Sequence, residues 1–287
     1  MEINLDKIEQ KKNIKELLEF SIINLDKPCG PTSFQVAEQT GKIVEARKFS
    51  HFGTLDPLVG GVLPVALNRA CRLATWFMKK DKTYVGIMRI HKDIPEDRLR
   101  EEMNKFIGKI MQLPPVKSRV KREEREREVY RFEILEKEGK DVLFVAEVEA
   151  GTYIRKIVSD LGERIGGAHM AELRRTRAGI FSENDKEFVT LYKLERAVEE
   201  YKKGNEKPLR DILIPGEVIS KIMPVVFVKK EAVRKLFTGS PLLNSFLEEK
   251  TEAKEGNIAV FCDDKFIGVY SVKNEKDIFA KPEFVLN

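Results

Sequence analysis

The segment HFGTLDPLVGG, residues 51–61, holds a single acidic side chain, Asp56, among glycine, proline, threonine and large apolar residues. Most other acidic residues of the chain lie in charge-dense runs, which are typical of solvated surfaces. Asp-Pro is a common start of a turn, and Gly60 and Gly61 allow the backbone to bend. From its setting alone, Asp56 is therefore either a turn residue or a carboxylate with a chemical role.

The composition limits the classes of function. The 287-residue chain has a net charge of +5, which suits a polyanionic partner without requiring one. Its length predicts one large domain and one small one. No apolar stretch approaches the roughly 18 residues of a membrane span, and the N-terminus lacks the apolar core of a signal peptide. We therefore expect a cytoplasmic protein with no membrane partner.

The cysteines and histidines predict neither a disulfide framework nor a metal site. The cysteines are odd in number and have no CxxC spacing, and no two histidines stand at helical spacing. These residues are Cys29, Cys71, Cys262, His51, His91 and His169. We expect reduced thiols, no metal and no cofactor.

The elements that must position Asp56 are predicted from hydrophobic periodicity and capping patterns. SIINLDK is typical of a short strand, and Thr32 and Gln35 after it have the spacing of a capping box at a helix start. KTYVGIMRI, residues 82–90, predicts a strand. Residues 97–110 predict a helix with one apolar face, formed by Leu99, Met103, Phe106, Ile107 and Ile110.

The middle of the chain predicts antiparallel strands followed by a helix. VYRFEIL, residues 129–135, alternates apolar and charged side chains, with Tyr130, Phe132 and Ile134 on the inner face. VLFVAEV predicts another strand, and the amphipathic helix after it begins near Ile154.

The last third predicts a helix, a connector and a small module. The helix covers residues 190–203 and stops at Gly204. Residues 202–224, rich in glycine and proline, predict a connector. NIAVFC and FIGVYSV, joined by a short DDK turn, then predict a β-rich C-terminal module.

Four motifs resemble those of the TruB family of RNA pseudouridine synthases: DKPCGPTSF, HFGTLDPLVGGVLPVAL, KTYVG and GTYIRKIVSDLG, in this order. The resemblance extends over about residues 21–182. Three further segments are similar to the dyskerin branch, which supplies the catalytic subunit of archaeal and eukaryotic H/ACA guide-RNA particles. They are PPVKSRVKREEREREVYRFEILE, GAHMAELRRTRAGIF and RIHKDIPEDRLREEM.

The resemblance implies an α+β fold with a mixed, mainly antiparallel sheet and flanking helices over residues 21–214. It also implies a small β-barrel of the RNA-binding PUA type over residues 215–287. Residues 1–20 then form an N-terminal arm, for which the C-terminal module is a candidate packing partner. In FTGSPLLNSF the chain keeps Gly239 but lacks the later glycine of the loop that such modules hold against RNA.

The resemblance also implies roles for individual residues. Asp56 matches the catalytic aspartate, which acts at the ribose of a flipped uridine as a nucleophile or as a base. Arg155 matches the arginine that pairs with it, and Tyr84 matches the tyrosine that stacks on the uracil. Desolvation of a carboxylate disfavours its charged form, so a positive partner is physically required. No cofactor is needed for this exchange of a C–N for a C–C bond.

The remaining implied roles concern RNA and the floor of the site. His51 fills the gap left by the flipped base, and Leu173 lines the base pocket. Lys27 and Pro28 match a motif that supports the floor, and Lys27 is counted with the substrate-binding residues. The expected RNA contacts are Lys117, Arg119, Lys121 and Arg122 in a substrate-gripping loop, and Arg174, Arg175 and Arg177.

Partners follow from the branch. They are an H/ACA guide RNA, target rRNA or tRNA, a small zinc-ribbon protein, a Gly/Arg-rich-type subunit and a kink-turn-binding protein of ribosomal type. Two alternatives stay open: a guide-independent synthase acting on the T-arm of tRNA, and an RNA scaffold or chaperone.

Overall fold

The structure, a computed structural model, describes residues 3–114, 121–249, 251 and 253–287. Its α-helices are α1 Leu5–Lys11, α2 Ile14–Glu19, α3 Ser33–Ile43, α4 Ala74–Met78, α5 Glu96–Asn104, α6 Ile154–Ile165, α7 Leu191–Lys202, α8 Lys207–Arg210 and α9 Val233–Phe237. Its strands are β1 Ser21–Lys27, β2 Phe49–His51, β3 Gly60–Leu67, β4 Lys82–Ile90, β5 Gly108–Gln112, β6 Arg125–Glu138, β7 Asp141–Val148, β8 Ala168–Ala178, β9 Phe181–Ser182, β10 Ile214–Pro215, β11 Val225–Phe227, β12 Leu242–Leu243, β13 Asn257–Cys262, β14 Lys265–Glu275 and β15 Ile278–Val285. None of the helices in these ranges is long and apolar enough to cross a membrane.

The larger sheet has the strand order β10-β1-β3-β8-β4-β7-β6-β5, with β2 added to β3 and β9 added to β8. Neighbouring strands are antiparallel except β3 and β8, which run parallel with Gly60 opposite Arg174 and Gly61 opposite Arg175. The expected mixed, mainly antiparallel α+β fold is confirmed. The parallel pair brings β3, which follows Asp56, beside β8, which carries the expected RNA-binding arginines.

Two apolar layers flank this sheet. On one face, α6 buries Ile157 and Leu161 with Leu99 of α5 against Phe132 and Phe144 of the sheet. A second core joins β1 and β3 to α3 and α7. Burial of such a stripe removes apolar surface from water at about 25 cal/mol per Å², so these helices are fixed where they contact the sheet. The α6 core fixes the helix that carries Arg155.

The C-terminal residues form a second sheet in the order β11-β13-β14-β15-β12, parallel only between β11 and β13. Its inner face shares a core with the larger sheet, where the ring of Phe20 stacks on that of Phe266 at 5.6 Å. The first helix bridges both parts, because Lys7 and Lys11 pair with Asp264 in the turn between β13 and β14.

The predicted helix over residues 97–110 is too long. Helix α5 ends at Asn104, and Gly108, with a φ of +93°, turns the chain into β5. Leu99 and Met103 are buried in the helix as expected, whereas Ile110 belongs to the strand. A glycine in the left-handed region breaks a helix at little steric cost.

Strand β6 is longer than predicted, and its pairing with β7 shifts between Val129 and Arg131. The shift buries Val129 and leaves Tyr130 42% exposed, so the predicted placement of Tyr130 on the inner face was wrong. Phe132 and Ile134 are buried as predicted. A β-bulge inserts one residue and moves the alternation to the other face.

The predicted connector over residues 202–224 is folded against the sheet. It contains α8 and β10, and Ile214 pairs with Ile22 at the edge of β1. Leu209, Leu213 and Ile219 are buried there. Glycine and proline punctuate these short elements without preventing their packing.

Candidate active site

Asp56 lies in the loop of residues 52–59 between β2 and β3. Its carbonyl accepts a hydrogen bond from Val59 N at 3.0 Å, which closes a turn and leaves the carboxylate half exposed. Arg155, in the first turn of α6, places Nη2 at 2.6 Å from Asp56 Oδ2. Asp56 is therefore both a turn residue and the partner of the cation that the family motif predicts.

A buried lysine holds the loop from below. The Lys27 ammonium donates to the carbonyls of Pro28, Pro57 and Val59 at 2.9, 3.0 and 2.9 Å. Burial lowers the pKa of Lys27, while the nearby Asp56 carboxylate raises it. The residue is fully buried and supports the loop from within, while its expected place among the substrate-binding residues stays a prediction.

The N-terminus of α3 fixes the other side of the loop. Leu55 N donates to Ser33 Oγ at 2.7 Å, and Ser33 Oγ donates to the Leu55 carbonyl at 3.0 Å. Thr32 caps the same helix and forms the predicted capping box with Gln35. The cap sets where α3 begins. The start of the helix in turn fixes the position of Leu55, one residue before Asp56.

Arg175 is buried, contrary to its expected role in phosphate binding. Its guanidinium donates to the carbonyls of Val62 at 2.8 Å and Gly53 at 3.1 Å, and it also contacts the Tyr84 side chain. Burial lowers the pKa of Arg175, and the Tyr84 contact raises it. Arg175 therefore ties the tyrosine to the loop. Gly61 is required beside it, because a Cβ there would lie 2.2 Å from the Arg175 carbonyl oxygen at a φ of +100°.

Tyr84 lies on β4 and is 9% exposed, within the core that includes Leu55 and Val59 of the loop that carries Asp56. Leu173 is opposite Gly86 on β8 and packs against the same core. A side chain on Gly86 would contact the Leu173 methyl at 3.0 Å. Tyr84 and Leu173 thus lie on the same side of the sheet, as expected of residues that line a base pocket.

His51 ends β2 opposite Val65, at the start of the loop. Its Nδ1 is buried without a hydrogen-bond partner among the described residues. Burial lowers the pKa of His51, and the Arg175 charge lowers it further, so the ring is neutral at pH 7. A neutral, partly desolvated ring suits contact with a stack of bases.

Lys82 was not predicted to belong to the site. It is 5% exposed, and burial together with the Arg175 charge lowers its pKa to about 8. Its ammonium donates to the Met78 carbonyl at 3.2 Å and to that of Lys80. Because side chains two residues apart share a face of a strand, its position two residues before Tyr84 was the available signal.

Most of the other expected RNA-binding residues that the structure describes form ion pairs. Arg174 pairs with Asp26 at 3.0 Å and with Glu183 at 2.8 Å, and Arg177 pairs with Glu147. Lys121 pairs with Glu123, and Arg122 is exposed. Lys117 and Arg119 lie outside the described residues.

The histidines are not all separate in space. His91 Nε2 lies 3.0 Å from His169 Nδ1, on the loop after β4 and on β8. Among the described residues, no group of three or more histidine, cysteine, aspartate or glutamate side chains is arranged to hold a metal ion.

Comparison with known sequences identifies two family models. Residues 41–154 match the N-terminal domain of the TruB family pseudouridylate synthases, and residues 155–220 match the tRNA pseudouridylate synthase B C-terminal domain. A probable tRNA pseudouridine synthase B of Pyrococcus abyssi is 46% identical over 81% of this chain and 70% of its own length. The corresponding protein of Archaeoglobus fulgidus is 39% identical over 88% of this chain and 78% of its own.

Solved structures agree with these matches. The chain superimposes with a TM-score of 0.89 and 38% identity on a structure described as a Cbf5–Nop10–Gar1 complex, covering 96% of this chain and 88% of the other. A structure of an H/ACA RNP bound to a substrate RNA containing 2′-deoxyuridine gives 0.87 and 36%, over 97% and 89%. The family models, the sequence identities and the fold lead to one conclusion: the chain belongs to the TruB family of pseudouridylate synthases.

Proposed function

We propose that this chain isomerises uridine to pseudouridine in RNA as the catalytic subunit of an H/ACA guide-RNA particle. The observation that carries the proposal is the pairing of Asp56 with Arg155 at 2.6 Å, within a fold that superimposes on Cbf5 in such complexes. Asp56 acts on the ribose, Arg155 pairs with it and orients it, and Tyr84 stacks on the uracil.

The reaction needs few groups because it is an isomerisation. The bond between N1 of uracil and the ribose breaks, the base turns, and its C5 bonds to the same ribose carbon. The C5 proton leaves and N1 gains a proton, so no atom is lost or added. Asp56 serves either as a nucleophile at the ribose or as the base that removes a sugar proton, and the two routes differ in whether a ribose C–H bond breaks.

The geometry supports an ion pair that strengthens when RNA covers it. The Asp56–Arg155 pair is about half exposed without RNA, where such pairs contribute about 0–1 kcal/mol. A bound nucleotide excludes water, which strengthens the attraction between the two side chains and increases the contribution of the arginine. Uridine must be flipped out for this, at a cost of a few kcal/mol, and Tyr84 and His51 compensate by contacting the base and the stack.

We divide the chain into an arm, residues 1–20, a catalytic domain, residues 21–214, and a PUA-like RNA-binding module, residues 215–287. A cleft of about 720 Å³ supports an RNA-binding role for the module. Arg69 and Arg72 face the Phe284 ring in this cleft at 5.9 and 6.0 Å, and Gly239 lines it. Guanidinium groups beside an aromatic ring suit a nucleic acid, and Gly239 has the φ of +84° that favours glycine.

The partners are proposed from the same relatives. The neighbouring structures contain Nop10 and Gar1 and an H/ACA RNP with substrate RNA. We propose that this chain assembles with a guide RNA, target rRNA or tRNA, a small zinc-ribbon protein, a Gly/Arg-rich-type subunit and a kink-turn-binding protein.

The test is pseudouridine formation by the purified chain with a matched guide RNA and partner proteins. The wild type should form product, and Asp56→Asn should form none while it keeps its affinity for RNA. Absence of product from the wild type, in a mixture where a control synthase is active, contradicts the proposal. Rescue of cell growth by the Asp56→Asn chain would instead show that the RNA scaffold is its main role.

A second function, guide-independent modification of tRNA, is favoured by the description of the relatives as tRNA pseudouridine synthase B. Incubation of the chain alone with a tRNA transcript tests it. Product without guide RNA supports this function, and product only with guide RNA supports the first one.

A further inference from the structure

A second cavity, of about 330 Å³, lies behind the loop of residues 52–59. Its wall comes from the end of β1 and the turn after it, from the first residue of β3, from β8 and from the N-terminus of α7. The lining residues that matter are Lys27, Cys29, Gly60, Arg174, Thr190 and Tyr192. Its volume is enough for one planar heterocycle, and the mechanism above does not use it.

The cavity and the Asp56 loop share one wall. Lys27 holds the Pro57 and Val59 carbonyls from the cavity side, and Cys29 Sγ lies 3.3 Å from the Leu58 carbonyl oxygen. Gly60 lines the cavity four residues after Asp56. The cavity therefore lies against the backbone of the loop that carries Asp56.

The charges around the cavity favour a neutral ligand over a phosphate. Arg174 already pairs with Asp26 at 3.0 Å and Glu183 at 2.8 Å, so two carboxylates surround one guanidinium. The Lys27 ammonium is directed at three carbonyls. Phosphate binding relies on available cations that displace the counterions of the nucleic acid, and these two cations already have partners.

Tyr192 supplies an exposed aromatic ring on which a neutral, flat ligand can stack. It stands in the first turn of α7 and is 65% exposed, an unusual setting for a large aromatic ring. Its helix is fixed by the Thr190 cap and by Leu194 and Val198 in the core. Exposed aromatic rings on a rigid element are the common platform for stacking single-stranded bases.

We propose that this cavity binds the base of a nucleotide next to the target uridine, which stacks on Tyr192 and presents its polar edge to Arg174 and Asp26. The inference rests on the proposed pseudouridine synthase function. It makes Tyr192 a residue that selects and positions substrate RNA. It also explains how RNA is held beside Asp56 independently of the flipped base.

The first experiment compares Tyr192→Ala with Tyr192→Phe. Tyr192→Ala should weaken RNA binding by about 5- to 150-fold, the range that corresponds to stacking of about 1–3 kcal/mol. Tyr192→Phe keeps the ring and should bind within about twofold of the wild type. Tyr130→Ala, which removes another exposed tyrosine, on β6, is the matched control and should leave binding unchanged. Equal binding by Tyr192→Ala and the wild type overturns the inference.

The second experiment replaces the nucleotide 5′ or 3′ of the target uridine by an abasic one. At one of the two positions the loss should match that of Tyr192→Ala, and combining both changes should add little further loss. If the losses add in full at both positions, no neighbouring base stacks on Tyr192, and the cavity receives something else, such as a side chain of a partner protein. Turnover of unmodified RNA by the wild type is recorded in parallel. Absence of this turnover contradicts the synthase function itself, whereas full additivity with an active wild type contradicts only the subsite.

Discussion

Arg155 Nη2 lies 2.6 Å from Asp56 Oδ2, although Asp56 stands on a loop and Arg155 on the first turn of a helix. The loop is held by Lys27 and Ser33, and the helix is held by its own apolar face in the core. Two independently supported elements therefore determine one ion pair. Because both side chains are about half exposed, the pair contributes little to stability and is available for chemistry.

Substitutions of Arg155 should distinguish the effect of its charge on activity from the effect of its planar geometry. Arg155→Ala should lower kcat about a hundredfold, because an electrostatic partner of the reacting carboxylate is lost. Arg155→Lys keeps the charge without the planar fork and should recover part of this loss. Single-turnover assays with saturating RNA measure the rate of the chemical step, which should show the loss. The free energy of unfolding, measured by thermal unfolding, should change by less than about 1 kcal/mol for both variants. A large loss of stability with unchanged kcat would contradict a catalytic role.

Replacement of Lys27 should affect both stability and activity. Lys27→Met fills similar space but removes the donor from three carbonyls, and we expect a loss of about 3 kcal/mol. The Asp56 turn should shift, so activity at a temperature well below unfolding should also fall. Lys15→Met, at an exposed position, is the control and should change neither property. Denaturant unfolding and product formation are the measurements.

Tyr84 should tolerate loss of its hydroxyl better than loss of its ring in RNA binding. Tyr84→Phe keeps the stacking surface and loses the contact with Arg175, so RNA affinity should stay near that of the wild type while turnover falls. Tyr84→Leu loses stacking of about 1–3 kcal/mol and should weaken binding as well. Equilibrium binding and single-turnover rates distinguish these outcomes. Equal behaviour of the two variants would show that the ring does not contact the base.

Lys82 should make stability depend on pH. Its pKa is about 8 in the folded chain against an ordinary 10.5, so the folded state carries an unfavourable buried charge below pH 8 and loses this penalty as pH rises from 8 to 10.5. The penalty below pH 8 is about 3 kcal/mol. Burial raises the pKa of the Cys71 thiol to about 11 from 9.0, and this opposes the trend above pH 9.

The comparison with Lys82→Met isolates this effect. Between pH 7 and 9 the stability of the wild type relative to Lys82→Met should rise by about 1 kcal/mol. Chemical unfolding at several pH values measures it, and Cys71→Ala is the control for the higher range. Parallel curves for the wild type and Lys82→Met would show that Lys82 does not titrate here.

The sequence was sufficient for elements whose pattern is local. The capping box of Thr32 and Gln35, the stripe of α6 and the strand from Lys82 to Ile90 are confirmed, because each depends on neighbouring residues. The ends of α5 and β5 were not predictable from the stripe, since apolar residues at Phe106, Ile107 and Ile110 fit both a helix and a strand.

Burial of charged residues was the larger difficulty. Arg175 and Arg174 are adjacent in a basic segment, yet strand alternation buries the first and leaves the second half exposed. Alternation along β4 likewise buries Lys82 beneath the site. Which face of β8 is buried depends on its parallel pairing with β3, a contact between segments more than a hundred residues apart. No local pattern contains that information.

The pairing of β10 with β1 has a consequence for synthesis of the chain on the ribosome. Ser21 and Ile22 emerge early, whereas Pro215 and Ile214, which cover their edge, emerge much later. Asp264, which pairs with helix α1, emerges later still. An uncovered strand edge is a template for wrong pairing, so we expect the nascent larger sheet to be most exposed to aggregation after β1 has formed and before β10 arrives. Arrival of β10, rather than formation of the loop that carries Asp56, covers this edge.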